Sequence, residues 1–334
     1  MLRLPPARLL VVKLGSIGDV VNTLPLVNVL KRNWPECELG WLIEPKSYPI
    51  VAGHESVDRF IIFHREERLR GVRAALAEIK EFAPELVIDL QRILRSGFFT
   101  FFSGASSRLG FDRKRCKEFS GIFTNLKIPP APVPGHMVHQ YLEFASYLNV
   151  NWEEIDFQIP LDTRDREQAK DLLPPRFIKD GFIALNIGAA KPANRWPVSH
   201  WAALSRRLQG EGVNLVLTGG NQDRERARLI RSRSGEEAVD LAGRTTLKEL
   251  AGIFSLSRAV VSADTGPMHI ASALGTRTIG LFGPADPRRT GPFNFLDEVI
   301  ISPAECRFCG KRKCRHRHCM EEITPEIVYR KLKT

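Results

Sequence analysis

DTGPMHIASALGTRTIGLFGPADP, residues Asp264 to Pro287, decides how this chain folds. The apolar, β-branched run before it, Arg258–Ala263 (RAVVSA), has the composition of a buried parallel strand, and Met268–Leu274 has that of a helix. Asp264-Thr265-Gly266-Pro267 is the turn between them. Gly266 permits close backbone approach, and Pro267 near the helix start needs no N–H partner. The remaining N–H groups of the first helical turn face whatever sits above the strand, which suits an anion such as a diphosphate. His269 lies one helical turn beyond Thr265 and can address the same ligand. A second strand, Arg277–Phe282, ends in the rigid loop Gly283–Pro287 at the same carboxyl edge, where open α/β sheets bind ligands. As an isolated motif, Asp-Thr-Gly-Pro reads equally as a plain helix cap.

The same alternation runs outward in both directions. Upstream, strands are expected at Leu9–Lys13, Glu38–Ile43, Arg59–Phe63, Leu86–Leu90 and Ser107–Gly110, with helices near Val20–Arg32, Leu69–Glu81, Arg92–Phe102 and Val138–Leu148. After a polar, proline-containing stretch, Asp156–Pro175, a second series follows. Its strands are Phe182–Ile187, Asn214–Thr218, Val239–Leu241, Arg258–Ala263, Arg277–Phe282 and Val299–Ser302, with helices near Ser199–Gln209, Asp223–Arg233 and Leu247–Phe254. Strands alternating with helices imply parallel sheets covered on both faces. The expectation is an α/β protein of two Rossmann-like domains facing an interdomain cleft, residues 1–160 and 161–320, closed by a terminal helix in 321–334. Pro129–Pro134 reads as a surface loop, and the amino-terminal run MLRLPPARLLVVKLG as a first strand, without the small-residue cleavage site of a signal peptide.

With 334 residues, 43% hydrophobic and 26% charged, the chain suits two globular domains, and no apolar run approaches the roughly 20 residues that span a bilayer. Its net charge of +11 points to an anionic partner: nucleic acid, an anionic membrane surface, or a phosphorylated or carboxylated substrate. Basic clusters fall at Arg113-Lys114-Arg115 and between Arg307 and Arg317, but neither an RNA-recognition aromatic signature nor a helix-turn-helix pattern accompanies them.

The first strand leads into Lys13-Leu14-Gly15-Ser16-Ile17-Gly18-Asp19. The loop lacks the third glycine of a dinucleotide fingerprint, and the nearest strand-end acid, Glu44, comes late, which weakens a nicotinamide reading. Asp19 stands at a helix start beyond a central strand, as a capping carboxylate or as a general base. In the second series Lys191 and Arg195 follow a strand end, in a loop long enough to fold over a diphosphate or to be plain solvated surface. Cys306, Cys309, Cys314 and Cys319 crowd into one segment with His316 and His318 nearby; the set reads as a structural zinc site or as reduced thiols, with disulfides disfavoured in a reducing compartment.

Lys13 with Gly15–Asp19, Asp89-Leu90-Gln91 to Arg95-Ser96-Gly97, Arg195-Trp196-Pro197, and DTGPMH through LFGPADP resemble, in that order, the bacterial lipopolysaccharide heptosyltransferases of glycosyltransferase family 9. The resemblance covers nearly the whole chain, and Asp89–Asp112 is more similar to the heptosyltransferase I branch than to II. It implies a GT-B fold and an inverting transfer from ADP-L-glycero-D-manno-heptose to an anionic Kdo-bearing lipid A acceptor, in the cytoplasm at the inner face of the inner membrane. It requires no cofactor and no catalytic metal, and nucleic acid is not an expected partner. By the same resemblance Asp19 is the general base, and Lys191, Arg195, Asp264, Thr265, Gly266, Pro267 and His269 serve the donor. Lys13, Ser16, Gly18, Arg92, Arg95, Arg113, Lys114 and Arg115 serve the acceptor. Two positions depart from the family pattern: Asn194 stands where relatives carry lysine, and Arg92 where glycine is common. A family 9 transferase with another donor or acceptor, and a non-catalytic nucleotide-sugar-binding or RNA-binding protein, share the same motifs.

Overall fold

The computed structural model describes residues 4–131, 135–235, 237–316 and 318–334. Residues 132–134 of the proline-rich loop, Met1–Arg3 of the amino-terminal run and Arg317 of the second basic cluster lie outside the described residues. The chain divides into two compact units, Met1–Pro160 and Leu161–Thr334.

The first unit is built on strands β1 (Arg8–Val12), β2 (Glu38–Ile43), β3 (Arg59–Ile62), β4 (Leu86–Asp89), β5 (Ser107–Gly110) and β6 (Leu126–Lys127). They pair in parallel in the order β3-β2-β1-β4-β5-β6. Val12 lies opposite Leu42 on one side and Asp89 on the other, so the ends of β1 and β4 are level. Its helices are α1 (Ile17–Val21), α2 (Leu24–Asn33), α3 (Leu69–Phe82), α4 (Leu94–Phe102) and α5 (Met137–Tyr147). The single helix expected over Val20–Arg32 is two. Pro25 lacks an N–H to continue a helical ladder, and the Thr23 hydroxyl donates instead to the Asp19 carbonyl at 2.9 Å. Strand β6 was missed because two half-buried residues carry no periodicity.

The second unit carries β7 (Ile183–Asn186), β8 (Leu215–Thr218), β9 (Val239–Asp240), β10 (Ala259–Ala263), β11 (Thr278–Phe282) and β12 (Ile300–Ile301), parallel in the order β12-β11-β10-β7-β8-β9. The helices between and around them are α6 (Thr163–Asp171), α7 (Pro175–Asp180), α8 (Val198–Gly210), α9 (Arg224–Ser234), α10 (Leu247–Leu256), α11 (Gly266–Ala273), α12 (Pro287–Thr290), α13 (His318–Glu321) and α14 (Pro325–Lys333). Helix α6 occupies the stretch read as a polar connector. Asp162 and Asp165 form its capping box, and only Ala169 is buried, against Gly252 of α10, where a Cβ would come within 2.6 Å of the alanine methyl. One buried alanine in nine residues leaves no amphipathic signal to read. The terminal helix α14 packs on α8: Val328 is buried, and Arg207 of α8 pairs with Glu326 and lies over the Tyr329 ring. Beneath it Trp196 and Trp201 meet edge to face at 4.7 Å, and the Trp196 indole N–H donates to the Ile323 carbonyl at 2.7 Å.

In both sheets the strand that comes first in sequence sits in the middle, and the order reverses beside it: between β1 and β4, and between β7 and β10. At such a switch point the loops leaving neighbouring strands part in opposite directions and open a crevice at the carboxyl edge.

Candidate active site

In the first unit the loops that leave β1 and β4 hold the polar residues at the switch point. Lys13, one residue beyond β1, is 2% exposed, and its ammonium lies 3.6 Å from the Asp19 carboxylate, which is 36% exposed. It also donates to the Leu90 carbonyl at 3.5 Å and sits 5.3 Å from the centre of the Tyr141 ring. Burial holds the Lys13 ammonium below its ordinary value of 10.5, and Asp19 opposes that shift. Asp19, in the first turn of α1, further accepts from the Ser16 hydroxyl and the Tyr141 hydroxyl, each at 3.5 Å. Gly18 is buried beside it. A carboxylate with one face on a buried cation and the other in solvent is placed to take a proton from an incoming hydroxyl.

The β4 loop supports this arrangement. Asp89 is buried and accepts from the Gln91 and Arg92 N–H groups and the Ser96 hydroxyl, at 2.9, 3.3 and 2.9 Å. Burial still raises its carboxyl above the usual range, these hydrogen bonds opposing. The Gln91 amide oxygen accepts from the Leu14 N–H at 3.2 Å and so ties the two loops together. Arg92 lies 4.7 Å over the Phe111 ring, and Arg95 pairs with Glu44 at 3.3 Å. The basic triplet divides. Arg113 and Lys114 are exposed, whereas Arg115 is 9% exposed and bonded to Asp112, Glu143 and the Pro129 carbonyl. Three internal acceptors account for Arg115, which makes it a tie within the unit.

In the second unit the loops after β7 and β10 meet at the other switch point. Thr265 caps α11, accepting from the Met268 N–H at 3.4 Å, with Gly266 and Pro267 opening the helix. Its hydroxyl is 3.0 Å from that of Ser262 and accepts from the Asn186 amide at 3.2 Å. Lys191 donates to Asp264 Oδ2 at 3.4 Å, and the Asn194 amide bridges the Asp264 carbonyl and carboxylate, each at 3.1 Å. Asn194 is 2% exposed, while Lys191 keeps 43% of its side chain in solvent. The residue that departs from the family pattern therefore clamps the turn, and the cation stands three positions upstream. Arg195 donates to the Ala189 carbonyl at 3.1 Å, and His269 is buried on α11.

Tyr141, Asn186 and Ser262 were not singled out from the sequence, whereas Gln91 falls within the Asp89–Gly97 motif but carried no assigned role. Asn186, a polar end to an apolar strand, was a readable signal; Tyr141, on α5 and 122 residues from Asp19, left none. Cys306, Cys309 and Cys314, read together with Cys319 as a structural zinc site or as reduced thiols, all lie near enough to Cys319 to act on its thiol, although among the described residues no group of three or more His, Cys, Asp or Glu side chains is arranged to hold a metal ion. Cys319 is buried, whereas Cys306 and Cys309 stand in solvent. Burial and the three neighbouring thiols push the Cys319 thiol up to about 11.

Two doubly wound parallel sheets, with polar loops gathered at each switch point and an anion-ready turn in the second, make up the GT-B architecture. A family model described as glycosyltransferase family 9 (heptosyltransferase) matches residues 72–320. The chain belongs to that family and is a glycosyltransferase. Curated relatives include the lipopolysaccharide core heptosyltransferase OpsX of Haemophilus influenzae, 24% identical over 88% of this chain and 84% of the relative. Lipopolysaccharide heptosyltransferase 1 of Pseudomonas aeruginosa is 27% identical over 94% of this chain and 89% of its own. Among solved structures, ADP-heptose LPS heptosyltransferase II of E. coli superposes with a TM-score of 0.80 at 22% identity, covering 98% of this chain and 97% of that one. E. coli heptosyltransferase WaaC with ADP gives 0.75 at 24% identity, covering 98% and 99%.

Proposed function

We propose that this protein transfers L-glycero-D-manno-heptose from ADP-heptose to a Kdo-bearing inner-core acceptor of lipopolysaccharide, inverting the anomeric centre. The observation that carries the reading is the pairing of Asp19 with Lys13 and Tyr141 at one switch point, in a chain whose other switch point presents the Asp264–Pro267 turn with Lys191. Residues 1–160 receive the acceptor and residues 161–320 the nucleotide sugar, with the helix in 321–334 completing the second unit. Asp19 takes the proton of the acceptor hydroxyl as its oxygen bonds to the anomeric carbon, and the bond from that carbon to the diphosphate breaks, releasing ADP. Lys191, Arg195 and the amino terminus of α11, through Gly266 and Pro267, meet the negative charge that grows on the leaving diphosphate; Thr265 and His269 shape its seat. Lys13, Ser16 and Gly18 set the Asp19 turn, and Arg92, Arg95, Arg113 and Lys114 give the acceptor side its positive charge. The acceptor is an anionic lipid, so the enzyme works peripherally at the inner face of the inner membrane; no helix among the described residues is long and apolar enough to cross it. Mass spectrometry of products formed from ADP-heptose and a panel of truncated lipid A acceptors tests this. Failure to add one heptose to any Kdo-containing acceptor refutes it.

A further inference from the structure

Helix α4 (LRSGFFTFF) is turned the wrong way round for a soluble protein. Ser96, Gly97, Phe99 and Thr100 face inward, while Leu94, Phe98, Phe101 and Phe102 are 49, 37, 49 and 46% exposed. The spacing i, i+4, i+7, i+8 places those four on one face. Directly beside it, the turn Ser120–Ile122 packs on α4 through Gly97 and Phe123, and carries Phe119 and Ile122 at 86 and 74% exposure. These six are nearly half of the thirteen large apolar side chains that stand exposed among the described residues. Scattered singly they would need no account; gathered on one face they form the kind of patch that marks a contact surface.

The surroundings say what covers it. Residues 91–130 hold eight Lys and Arg against two acidic residues, Asp112 and Glu118. Glu118 is occupied with the Leu94 N–H at 3.1 Å, and Arg115 with its internal carboxylates, whereas Arg113, Lys114 and Lys117 are exposed. Arg108 lies 5.5 Å from the centre of the Phe101 ring, at the edge of the apolar face. A two-fold contact with a second copy would bring this basic patch against itself. Aromatic side chains ringed by basic ones match instead the interfacial layer and headgroups of an anionic bilayer. We propose that the exposed face of α4, with Phe119, Ile122 and the basic residues around them, is the surface by which this protein docks on an anionic lipid membrane. The proposal rests on the lipid-borne acceptor read above. Helix α4 begins at the end of the β4 loop, so a docked surface stands next to the residues assigned to the acceptor.

Cosedimentation of the full chain with vesicles of phosphatidylethanolamine and phosphatidylglycerol, against vesicles of phosphatidylcholine alone, tests this. The wild-type protein is expected on the anionic vesicles, with binding that weakens as salt rises. A Phe101→Ser/Phe102→Ser/Phe119→Ser variant is expected to bind them on the order of a hundredfold more weakly. The milder Phe119→Ser/Ile122→Ser variant, which touches only the most exposed positions, loses about tenfold and guards against a folding artefact in the first. Both are expected to melt like wild type and to transfer normally to a soluble, delipidated acceptor. Wild-type protein that ignores the anionic vesicles overturns the proposal, as do variants that bind them as wild type does. A change from dimer to monomer with vesicle binding intact also overturns it and assigns the patch to a copy-to-copy contact. Vesicle binding uses no donor, so loss of heptose transfer alone refutes the functional reading and leaves this result standing.

Discussion

Replacing Asp19 by Asn removes a charge while keeping the shape of its turn, and the structure assigns it two separable consequences. The first is chemical. A positioned general base contributes about 10²–10⁴ in rate, so kcat is expected to fall by that factor, while ADP, which the proposal assigns to the second unit, is expected to bind as before. The second concerns stability. Breaking a fully buried ion pair costs about 3–5 kcal/mol and an exposed one at most about 1 kcal/mol. Lys13 is 2% exposed and Asp19 36%, which puts the D19N cost between them, about 1–3 kcal/mol. For a unit of this size that lowers Tm by about 2–12 °C. The pH dependence has a definite sign. Burial holds Lys13 below 10.5 in the folded state, so the unfolded chain keeps that proton to higher pH, and stability rises as pH climbs from the folded value toward 10.5. Without Asp19 the folded value drops further, the cost of the buried ammonium grows at neutral pH, and the Tm deficit of D19N narrows toward alkaline pH. Calorimetry across a pH series, steady-state kinetics and an ADP titration read all three effects. A kcat within about tenfold of wild type refutes the base assignment; a deficit that ignores pH refutes the Lys13 account.

Lys191→Ala removes the half-exposed cation beside Asp264, and ADP affinity measured by calorimetry is expected to fall about 10–100-fold with the melting temperature little changed. Arg115→Ala is expected to cost about 3 kcal/mol by leaving Asp112 and Glu143 unpaired, whereas Arg113→Ser/Lys114→Ser leaves stability alone and flattens the salt dependence of acceptor affinity. Burial raises the Asp112 carboxyl, but the hydrogen bond and charge of Arg115 outweigh it and hold it below 3.8. That contribution is therefore complete above 3.8 and lost as pH falls through the folded value, and denaturant titrations should show the Arg115→Ala deficit closing in acid. Gly97→Ala drives a methyl into the Phe123 ring and is expected to destabilise the first unit by about 1–3 kcal/mol in the same assay.

Most strands were legible in the sequence because burial on both faces demands unbroken apolar runs, and Leu9–Lys13, Leu86–Leu90 and Arg258–Ala263 lie within a residue of β1, β4 and β10. The turns were legible for a related reason: glycine, proline and a capping threonine are local requirements, and Asp264–Pro267 meets them whatever surrounds it. Helix α6 and strand β6 escaped because one buried alanine and two half-buried residues carry no period.

From the order of residues alone follow two βα series and the turns at which chemistry was to be sought. Which turns share a crevice was settled by folding, because strand order is a matter of long-range pairing: β1 takes β4, and β7 takes β10, as its neighbour. The same holds for charge and exposure. Arg113 and Arg115 are two letters apart and identical on paper, yet one is exposed and the other is held by two carboxylates. A run of phenylalanines reads as core, and only packing shows which of them the core had room for.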